Sequence, residues 1–526
     1  MRWLYAAVSP TAHCVRVAGI AVLLFVSACA SGQGEAPESG SEPQEREDGE
    51  QGDSGARPED PESQETNLWT LPEARADISL HRVDDDHMVA QMSLVNEGDA
   101  SLPANMEPLY TLLNDEYQQA AGEVLTGVAW LDPGGRVLHK PFVDDEGSCL
   151  CSDTGDASTL GSAGSERDTW EGYAVLQAPP EDVEELTVVT RVAPPFVDVP
   201  VQEGAPDGLD YAAPADAPQA EPQPAELESV VTSEEETVIE DSEATNINLS
   251  TDVLFDVEES ELTGEADALI EDVAGQIEDA EAAEVTVEGH ADSTGDDAIN
   301  DPLSQDRADA VRDGLEESVD ADVDYTTEGY GADDPIASND SEEGRALNRR
   351  VTISVPKDAS VDQRVTGEEP ERSEGTAPED VSFTGPAGDP DNPELQADVA
   401  LTDLRAVTDS TALLTYQVTN PEDENIGVGL DMGQSWMDFR VHSAHAVSLV
   451  DGDATAHPLR VESLDGDDFS PSCLCTSASG SDLSALIIRP ERTHNYYAFL
   501  PITPGSTTVD ISFADIGDAR DVRIQR

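Results

Sequence analysis

The sequence predicts an α+β protein with three folded units. Its central unit has the order β/α/β/α/β-β around a mixed sheet, and two duplicated all-β, sandwich-like units flank it, joined by acidic disordered linkers. Short alternating or β-branched runs separated by turn residues predict the flanking units. A motif shared by both, SCLCS at 148–152 and SCLCT at 472–476, indicates that one unit duplicates the other.

The first 28 residues are typical of a secretory signal peptide. Arg2 and Arg16 carry its only charges, and the apolar run at 17–28 is too short for a helix that spans a membrane. The tetrapeptide VSAC at 26–29 resembles a bacterial lipobox, which implies cleavage before Cys29 and a diacylglycerol on its thiol. Two acyl chains would anchor the protein to a membrane surface. The alternative is an ordinary signal peptide with a cysteine nearby.

Composition divides the exported chain into tethers and folded units. Segments dense in Glu, Gly, Ser, Pro and Ala have little to bury and predict tethers, whereas patterned apolar runs predict folded units. The predicted order after the signal peptide (1–28) is a lipidated cysteine with a disordered acidic tether (29–66), a first sandwich (67–200), a linker (201–245), the central unit (246–356), a second linker (357–394) and a second sandwich (395–526). The length of 526 residues fits three folded units plus tethers.

The charge of the chain restricts its partners. It has 113 Asp and Glu residues against 26 Lys and Arg, which gives a formal net charge of -87. Such a chain repels phosphate backbones and anionic lipids, so we expect no nucleic-acid partner. The acidic residues occur in folded and unfolded segments alike, as is typical of proteins adapted to high salt, where counter-ions screen their repulsion.

Four cysteines remain once Cys14 leaves with the signal peptide and Cys29 is lipidated. They form two C-x-C pairs, Cys149 with Cys151 and Cys473 with Cys475. An even count in an exported protein favours disulfides, and bridging within each pair is simplest because each flanking unit has its own pair. A bridge between the two units, or thiols used for metal or redox chemistry, stays open as an alternative.

Neither a cofactor nor a catalytic site is predicted. No His or further Cys lies close in sequence to either C-x-C pair, so a metal site there is disfavoured. Carboxylates are too abundant for any pair of them to be informative, and no G-x-S-x-G or H-E-x-x-H motif occurs. The sequence therefore predicts a binding protein rather than an enzyme.

Patterning within the central unit predicts its local structure. Apolar residues in 262–277 recur at helical spacing and predict a first helix. The run VTVEGH at 285–290 alternates like a strand and leads into a turn-rich loop. Pro302 predicts the start of a second helix, with Asn300 or Asp301 as its cap.

This pattern brings an acid and a base into the same region. Asp292 follows the strand on the loop, and Arg307 lies on the first turns of the next helix. A carboxylate and a guanidinium on one rim can bind a zwitterion, because the carboxylate accepts from an ammonium and the guanidinium binds a carboxylate with two hydrogen bonds. The other interpretation is that Arg307 is only a salt-bridged helix residue in an acidic protein.

Several motifs resemble one known family. The span from VLFDVEESELT at 253–263 through GHADSTG, NDPLSQDRADAV and EGYGADDPIASND to GRALNRRV at 344–351 resembles the OmpA-like peptidoglycan-binding domain, found in OmpA, Pal and MotB. The resemblance covers about a fifth of the chain. It implies that the ligand is the diaminopimelate of uncrosslinked stem peptides, whose free end is a zwitterion.

The resemblance also assigns site residues. They are Asp292, Arg307, Asn300, Arg349, Leu303 and Ser304. It implies that Asp292 binds the ammonium and Arg307 the carboxylate, while Asn300 orders the loop. It also implies that Arg349 supports the ligand or the carboxylates that are partners of Arg307. One residue departs from the family, which usually has Thr where this chain has Ala291; the lost hydroxyl contact is worth on the order of 1 kcal/mol. His290 is interpreted as structural.

These features together predict a cell-envelope lipoprotein that binds peptidoglycan non-covalently and tethers a membrane to the wall. Its anchor would lie on the exported face, in the outer leaflet of the cell membrane or in an outer membrane, and the sandwiches would bind a protein partner or pack on the central unit. An alternative hypothesis treats the C-x-C sandwiches as redox or metal-handling modules that the central unit merely localises. A third treats the central unit as a degenerate spacer, on the basis of Ala291.

Overall fold

The computed structural model describes most of the chain beyond residue 63, and the described residues belong to one compact unit, Glu59–Arg526. They are 64–67, 74–96, 127–145, 147–152, 169–190, 193–211, 217, 219–233, 235–257, 259–264, 266–280, 282–337, 339, 341–357, 375–387, 394–427, 447–451, 454–461, 472–476, 487–513 and 516–526. The predicted signal peptide, Cys29 and nearly all of the predicted tether lie outside these residues.

The N-terminal β-unit has two sheets around one core. Its strands are β1 (Gln64–Asn67), β2 (Ala74–Arg82), β3 (His87–Asn96), β4 (Val128–Leu131), β5 (Val137–Val143), β6 (Thr169–Gln177), β7 (Glu185–Thr190) and β8 (Phe196–Glu203). One sheet contains β2, β3 and β6 in antiparallel order, and the other contains β4, β5 and β7. Alternate residues such as Ile78 and Met92 of the first sheet meet Trp130 and Val188 of the second in a shared core.

The central unit alternates strands and helices. Its elements after strand β9 (Glu221–Thr232) are β10 (Glu236–Glu240), β11 (Ala244–Ser250), α1 (Thr251–Leu254), α2 (Ala266–Asp279), β12 (Glu284–His290), α3 (Asp297–Ser318), β13 (Asp324–Gly331), α4 (Glu342–Asn348) and β14 (Arg350–Pro356). The predicted mixed sheet is confirmed, since β12 is parallel to β13 and antiparallel to β14. The predicted first helix is confirmed as α2, whose Val273 and Ile277 are fully buried.

The C-terminal β-unit repeats the strand pairings of the N-terminal one. Its strands are β15 (Ser382–Pro386), β16 (Gln396–Ala406), β17 (Thr411–Thr419), β18 (Ile426–Gly427), β19 (Val447–Asp451), β20 (Ala454–Ala456), β21 (Arg460–Val461), β22 (Ser472–Cys473), β23 (Ile487–Ile488), β24 (Thr493–Pro501), β25 (Thr508–Phe513) and β26 (Asp518–Arg523). As β2, β3 and β6 do, β16, β17 and β24 form an antiparallel sheet, and β19 lies between β20 and β25 as β4 lies between β5 and β7.

Two predicted linkers contain regular structure. The range 201–245 includes the end of β8, all of β9 and β10, and the first residues of β11. Its acidic composition hides the strands, because glutamates such as Glu226 and Glu228 alternate with the buried Ala225 and Leu227. The range 357–394 likewise includes a 3-10 turn at 378–380 and strand β15.

Strand β9 joins the three units through its backbone. Its first half pairs with β5 of the N-terminal unit, Leu227 and Glu228 pair with β21 of the C-terminal unit, and Ser229 to Thr232 pair with β10 of the central unit. An ion pair reinforces this connection, because Arg136 of the N-terminal unit donates to Glu240 on β10. Units that were predicted to be connected by a flexible linker therefore share one strand.

Glycine sets how closely α3 approaches the central sheet. A Cβ at Gly289 on β12 would overlap the carbonyl oxygen of Ser304, and one at Gly329 on β13 would overlap the backbone nitrogen of Gln305. Neither obstacle is the flexible end of a side chain, so the helix itself would have to move. Because these glycines have no Cβ, the helix that carries Arg307 can pack in direct contact with the strand that leads to Asp292.

We expect Gly289→Ala to lower the unfolding free energy by about 1–3 kcal/mol, the usual cost of overpacking a tight interior contact. Gly275→Ala on α2 is the matched control, because a Cβ there meets nothing within 4 Å and alanine favours a helix over glycine by roughly 0.5–1 kcal/mol. Urea unfolding of both variants checks the signs. A Gly289→Ala protein as stable as the wild type would contradict the packing argument.

Candidate functional site

Asp292 lies on the loop after β12 with only 5% of its surface exposed. Its Oδ1 accepts from the backbone N–H of Thr294 at 2.7 Å and from the Thr294 hydroxyl, and its Oδ2 accepts from Nη1 of Arg349 at 2.8 Å. Burial would raise the pKa of Asp292, but these hydrogen bonds and the Arg349 charge outweigh it and lower the pKa below its ordinary value. A carboxylate can accept about four hydrogen bonds, so this charged group retains room for a further donor.

Arg349 is the C-cap residue of α4, and its guanidinium forms ion pairs with three carboxylates. Besides Asp292, its guanidinium contacts Asp252 on α1, with Nη2 2.9 Å from Oδ2 and Nε 3.2 Å from Oδ1. Glu342 lies 3.4 Å from Nη2. The hydrogen bond to Asp252, joined by that to Asp292, outweighs desolvation and raises the pKa of Arg349. With its donors engaged in this way, Arg349 positions Asp292 rather than presenting an unoccupied guanidinium.

Arg307 on α3 has a different environment. Its guanidinium lies 5.1 Å from the centre of the Phe255 ring, and its Nε donates to the carbonyl oxygen of Glu259 at 3.1 Å. Desolvation lowers the pKa of Arg307, and the charge of Asp252 opposes this. Within the described part of the chain no carboxylate lies within ion-pair distance of it. Arg307 therefore keeps a charged, partly desolvated guanidinium whose terminal nitrogens can meet a ligand anion.

Arg312, on the same helix as Arg307, is a salt-bridged arginine and serves for comparison. It contacts Asp313 at 2.6 Å and Asp309 at 3.3 Å. These contacts match the interpretation that was considered for Arg307 from sequence. Among the described residues, Arg307 does not fit that interpretation and Arg312 does.

Asn300 and Ser304 fix the loop and the helix. The Asn300 amide donates to the carbonyl oxygen of Thr294 at 3.1 Å, which ties the helix to the loop that also binds Asp292. Gly295 between them has a φ of 110°, a conformation that favours glycine. Ser304 is buried, donates to the Asp301 carbonyl at 3.0 Å and accepts from Gly331 N–H at 3.0 Å.

Leu303 is half-buried on α3, one residue before Ser304. Among the described residues, the Ser304 hydroxyl forms no hydrogen bond to Asp292 or Arg307. The structure thus gives Ser304 a role in packing the helix on β13, and it places Leu303 one helical turn before Arg307 on α3.

The second helix begins earlier than the sequence predicted. It starts at Asp297, and Asp296 is the cap, accepting from the Ala298 N–H at 3.1 Å. The expectation of a start at Pro302 was wrong, because Pro302 lies inside the helix, where it lacks the N–H that would donate to an earlier carbonyl oxygen. Asn300, freed from a capping role, binds the loop instead.

His290 and Ala291 separate the strand from Asp292. His290 is 1% exposed and stacks on Tyr330 with ring centres 5.4 Å apart, which agrees with a structural role. Neither ring nitrogen has a hydrogen-bond partner among the described residues. Burial, with the charge of Arg350, lowers the pKa of His290 to about 3. Ala291 donates its N–H to Gly331 at 2.6 Å.

Sequence reasoning missed two residues of the site. Asp252 is the carboxylate whose charge acts on both Arg307 and Arg349, and Thr294 has a hydroxyl that donates to Asp292. In a chain with 113 acidic residues no single aspartate stands out by type. Thr294 could have been found, since it follows Asp292 by two residues, the spacing at which an aspartate side chain accepts from a backbone N–H.

Residues 254–349 match the OmpA family. The central unit is therefore an OmpA family domain, and the resemblance read from the motifs is confirmed. Within the described residues, no helix is long and apolar enough to cross a membrane. The same residues contain no cluster of three or more His, Cys, Asp or Glu side chains arranged to hold a metal ion.

Known proteins are similar to about a fifth of this chain. Outer membrane porin F of Pseudomonas aeruginosa is 39% identical over 114 residues, which cover 22% of this chain and 33% of the porin. Peptidoglycan-binding protein ArfA of Mycobacterium bovis is 46% identical over 83 residues, or 16% of this chain and 26% of ArfA. The solved cell wall anchor of the T6SS from Pseudomonas aeruginosa is 31% identical with a TM-score of 0.21, covering 22% of this chain and 83% of that one. The chain thus spans about a third or less of the length of these two curated relatives.

The pKa of His290 predicts a pH dependence of stability. Unfolded His290 gains a proton below pH about 6.5, whereas folded His290 stays neutral until about 3. The unfolded state therefore binds more protons in this window, so stability falls on acidification, by at most about 1.4 kcal/mol per pH unit from this group. His290→Gln should lose that contribution. Urea unfolding of both proteins from pH 7 to pH 4 measures the difference, and parallel curves would contradict the assignment.

Proposed function

We propose that this protein binds peptidoglycan through its OmpA family domain and that it acts as a non-catalytic envelope protein. The observation that carries the proposal is a link through Arg349, which binds Asp292 and also Asp252, the carboxylate whose charge acts on Arg307. Asp292 is charged, nearly buried and able to accept a further donor, and Arg307 has no ion-pair partner among the described residues. Such a pair suits a zwitterionic ligand. ArfA, a relative of this domain, is named for binding peptidoglycan.

In this proposal the diaminopimelate of an uncrosslinked stem peptide supplies the zwitterion. Its ammonium donates to Asp292, and its carboxylate accepts from the terminal nitrogens of Arg307. Arg349 and Thr294 hold the Asp292 carboxylate in place, and Asn300 holds the loop. These contacts are present although Ala291 lacks the hydroxyl of the usual threonine. Their presence argues against the domain being a degenerate spacer.

The proposed membrane anchor rests on the lipobox-like VSAC and Cys29, which lie outside the described residues. Lipid on Cys29 at one end and a wall ligand at Asp292 would tether a membrane to the wall. The location that follows is the exported face of a membrane, either the outer leaflet of the cell membrane or an outer membrane. The similarity of the central domain to an outer membrane porin is compatible with a place in the envelope.

We further propose that the two flanking units are duplicated sandwiches. In support, both units have the same strand pairings. In both, the residue between the two bridged cysteines accepts a backbone hydrogen bond from the equivalent strand, from Val175 to Leu150 and from Phe499 to Leu474. Cys149 and Cys151 are bridged, as are Cys473 and Cys475, each with Cα atoms 5.3 Å apart. Cys473 and Cys475 lie in the core of the C-terminal unit, which favours a structural role over redox or metal chemistry.

Wall binding is tested by sedimenting the exported chain, residues 30–526, with purified diaminopimelate-type peptidoglycan in molar salt. We expect Asp292→Asn and Arg307→Gln each to weaken binding by roughly ten- to a hundredfold, because a hydrogen bond to a charged group contributes about 1.5–3 kcal/mol. The remaining partner would keep one end of the zwitterion.

Arg312→Gln is the matched control, since it removes the same charge from the same helix at a salt-bridged position. It should bind as the wild type does. If Arg312→Gln weakened binding as much as Arg307→Gln, bulk charge rather than a site would explain the result. A wild type that stays in solution would exclude the proposed ligand.

The structural role of the disulfides has its own test. We expect no free thiol to react with a thiol reagent in the folded exported chain and four to appear after denaturation and reduction, because each pair is bridged. Metal analysis of the same sample should find no stoichiometric transition metal. Reversible reduction at mild potentials, or bound metal, would favour the redox or metal hypothesis instead.

A further inference from the structure

The C-x-C motif builds the same surface on both flanking units. In the N-terminal unit Leu150 N–H donates to Phe142 O at 2.9 Å, and Val175 N–H donates to Leu150 O at 2.9 Å. In the C-terminal unit Leu474 N–H donates to Leu459 O at 2.7 Å, and Phe499 N–H donates to Leu474 O at 3.1 Å. These bonds, with the strand registers, make five pairs of positions equivalent: Val89 and Leu413, Phe142 and Leu459, Leu150 and Leu474, Tyr173 and Tyr497, Val175 and Phe499.

In the C-terminal unit this surface is an interface. Its five residues form one buried cluster with residues of the N-terminal unit, among them Ala129, Leu131 and Val189, and with Leu227 of β9. The contact is head to tail, because a different sheet of the N-terminal unit receives it. The equivalent surface of the N-terminal unit, which we call the docking face (Val89, Phe142, Leu150, Tyr173 and Val175), is thus built to pack against protein.

A short piece of the chain itself covers the docking face. Leu209, Tyr211, Ala217 and Ala220, which we call the cap, pack on it between β8 and β9. The Tyr211 ring meets the Tyr173 ring edge to face at 6.1 Å. The cap thus occupies in the N-terminal unit the place that a whole sheet occupies in the C-terminal unit.

The cap is held much less firmly than that sheet. Leu209 and Tyr211 are only half-buried. In the described residues 205–211, none forms a hydrogen bond to the surface beneath, whereas Gly204 N–H still donates to Arg82 O at 2.9 Å. Gly204 and Gly208 have φ values of 101° and 77° and open space around them. Residues 205–211, which pack on this surface through their side chains, open more readily than a segment in a sheet.

A second copy of this chain does not fit the docking face. In a second copy, the sheet that would have to dock is the one formed by β19 and β25, which corresponds to β4 and β7 of the N-terminal unit. In that sheet Ser448 lies opposite Ser512, and Val450 lies opposite Asp510. Ser448 and Ser512 stand where the existing interface has Ala129 and Val189, Thr455 stands where it has Leu138, and Asp510 replaces Thr187. A β-unit of a second copy therefore does not pack on the docking face. We expect the ligand of this face to resemble the cap instead.

We propose that the docking face is a binding site for an extended peptide with an aliphatic and an aromatic side chain two residues apart, and that Leu209 and Tyr211 occupy it in cis until such a partner displaces them. The cis segment competes at a local concentration that is roughly millimolar for short connections. A partner must outcompete that concentration, so opening the cap raises the apparent affinity of any peptide that fits.

The test uses the exported chain in molar salt, which screens repulsion between acidic molecules. A cap-opened variant, Leu209→Asp with Tyr211→Asp, is compared with the wild type for binding a fluorescent peptide of residues 204–220. We expect the variant to bind it at least about tenfold more tightly than the wild type does, since cis competition is removed. A peptide carrying the same two substitutions should not bind.

Two controls make the result decisive. Asp210→Asn changes the exposed residue between the two cap side chains and should behave as the wild type, while adding Val175→Asp to the opened variant should abolish peptide binding. An unchanged circular dichroism spectrum and cooperative urea unfolding show that each variant is folded, and Leu209→Ser with Tyr211→Ser replaces the double aspartate if it is not. No binding to an opened, folded variant, or equal binding to the wild type, overturns the proposal.

Discussion

The backbone of β9 is the constraint on which the arrangement of the whole molecule depends. An unpaired backbone group that is buried costs as much as a lost hydrogen bond, so a strand that pairs with β5, β21 and β10 in succession fixes each of those partners relative to the others. The Arg136–Glu240 contact lies at the same junction, and Lys357 is 3.5 Å from the same glutamate. Burial would raise the pKa of Glu240, but these two cations outweigh it and keep the carboxylate charged.

The scarcity of cations makes their placement informative. With 26 Lys and Arg against 113 acids, most positive charges can find a carboxylate, and Arg136, Arg312 and Arg349 each do so. Arg307 instead lies against Phe255 and a backbone carbonyl. A cation that is partly desolvated without a carboxylate partner among the described residues carries a cost that a bound anion would remove. Because the charge of Asp252 acts on Arg307 and Asp252 also binds Arg349, that cost falls in the candidate site.

Sequence predicted the parts of the fold that local pattern encodes. The α2 helix follows from the spacing of Val273 and Ile277, and the loop at Asp292 follows from a strand ending in a turn-rich segment. It missed β9 because Glu221, Pro222 and Pro224 are typical of a linker, and because a strand that pairs with different units has no local signature. The prolines are tolerated there because residues 221–226 pair on one side only, with β5, among the described residues.

Sequence could name Asp292 and Arg307 from family motifs, but not their environments. Whether an arginine is salt-bridged or open depends on which carboxylates the fold brings near it, and an acidic chain offers many candidates at every spacing. The docking face is a related case. Leu150 and Leu474 occupy identical motifs, yet one lies under a short cap and the other under a sheet. The difference arises from how the units stack, which no local pattern records.

The shared strand also decides where flexibility can lie in the proposed tether. Because β9 and the Arg136–Glu240 pair join the central domain to both β-units, the Asp292 site cannot swing on a linker at 201–245. The tether predicted from composition at 29–66 lies almost wholly outside the described residues, and a flexible coil of that length would extend on the order of 30–37 Å, further with charge repulsion. In the proposed tether, the wall site would be carried on a body in which the pairings of β9 fix the central domain relative to both β-units.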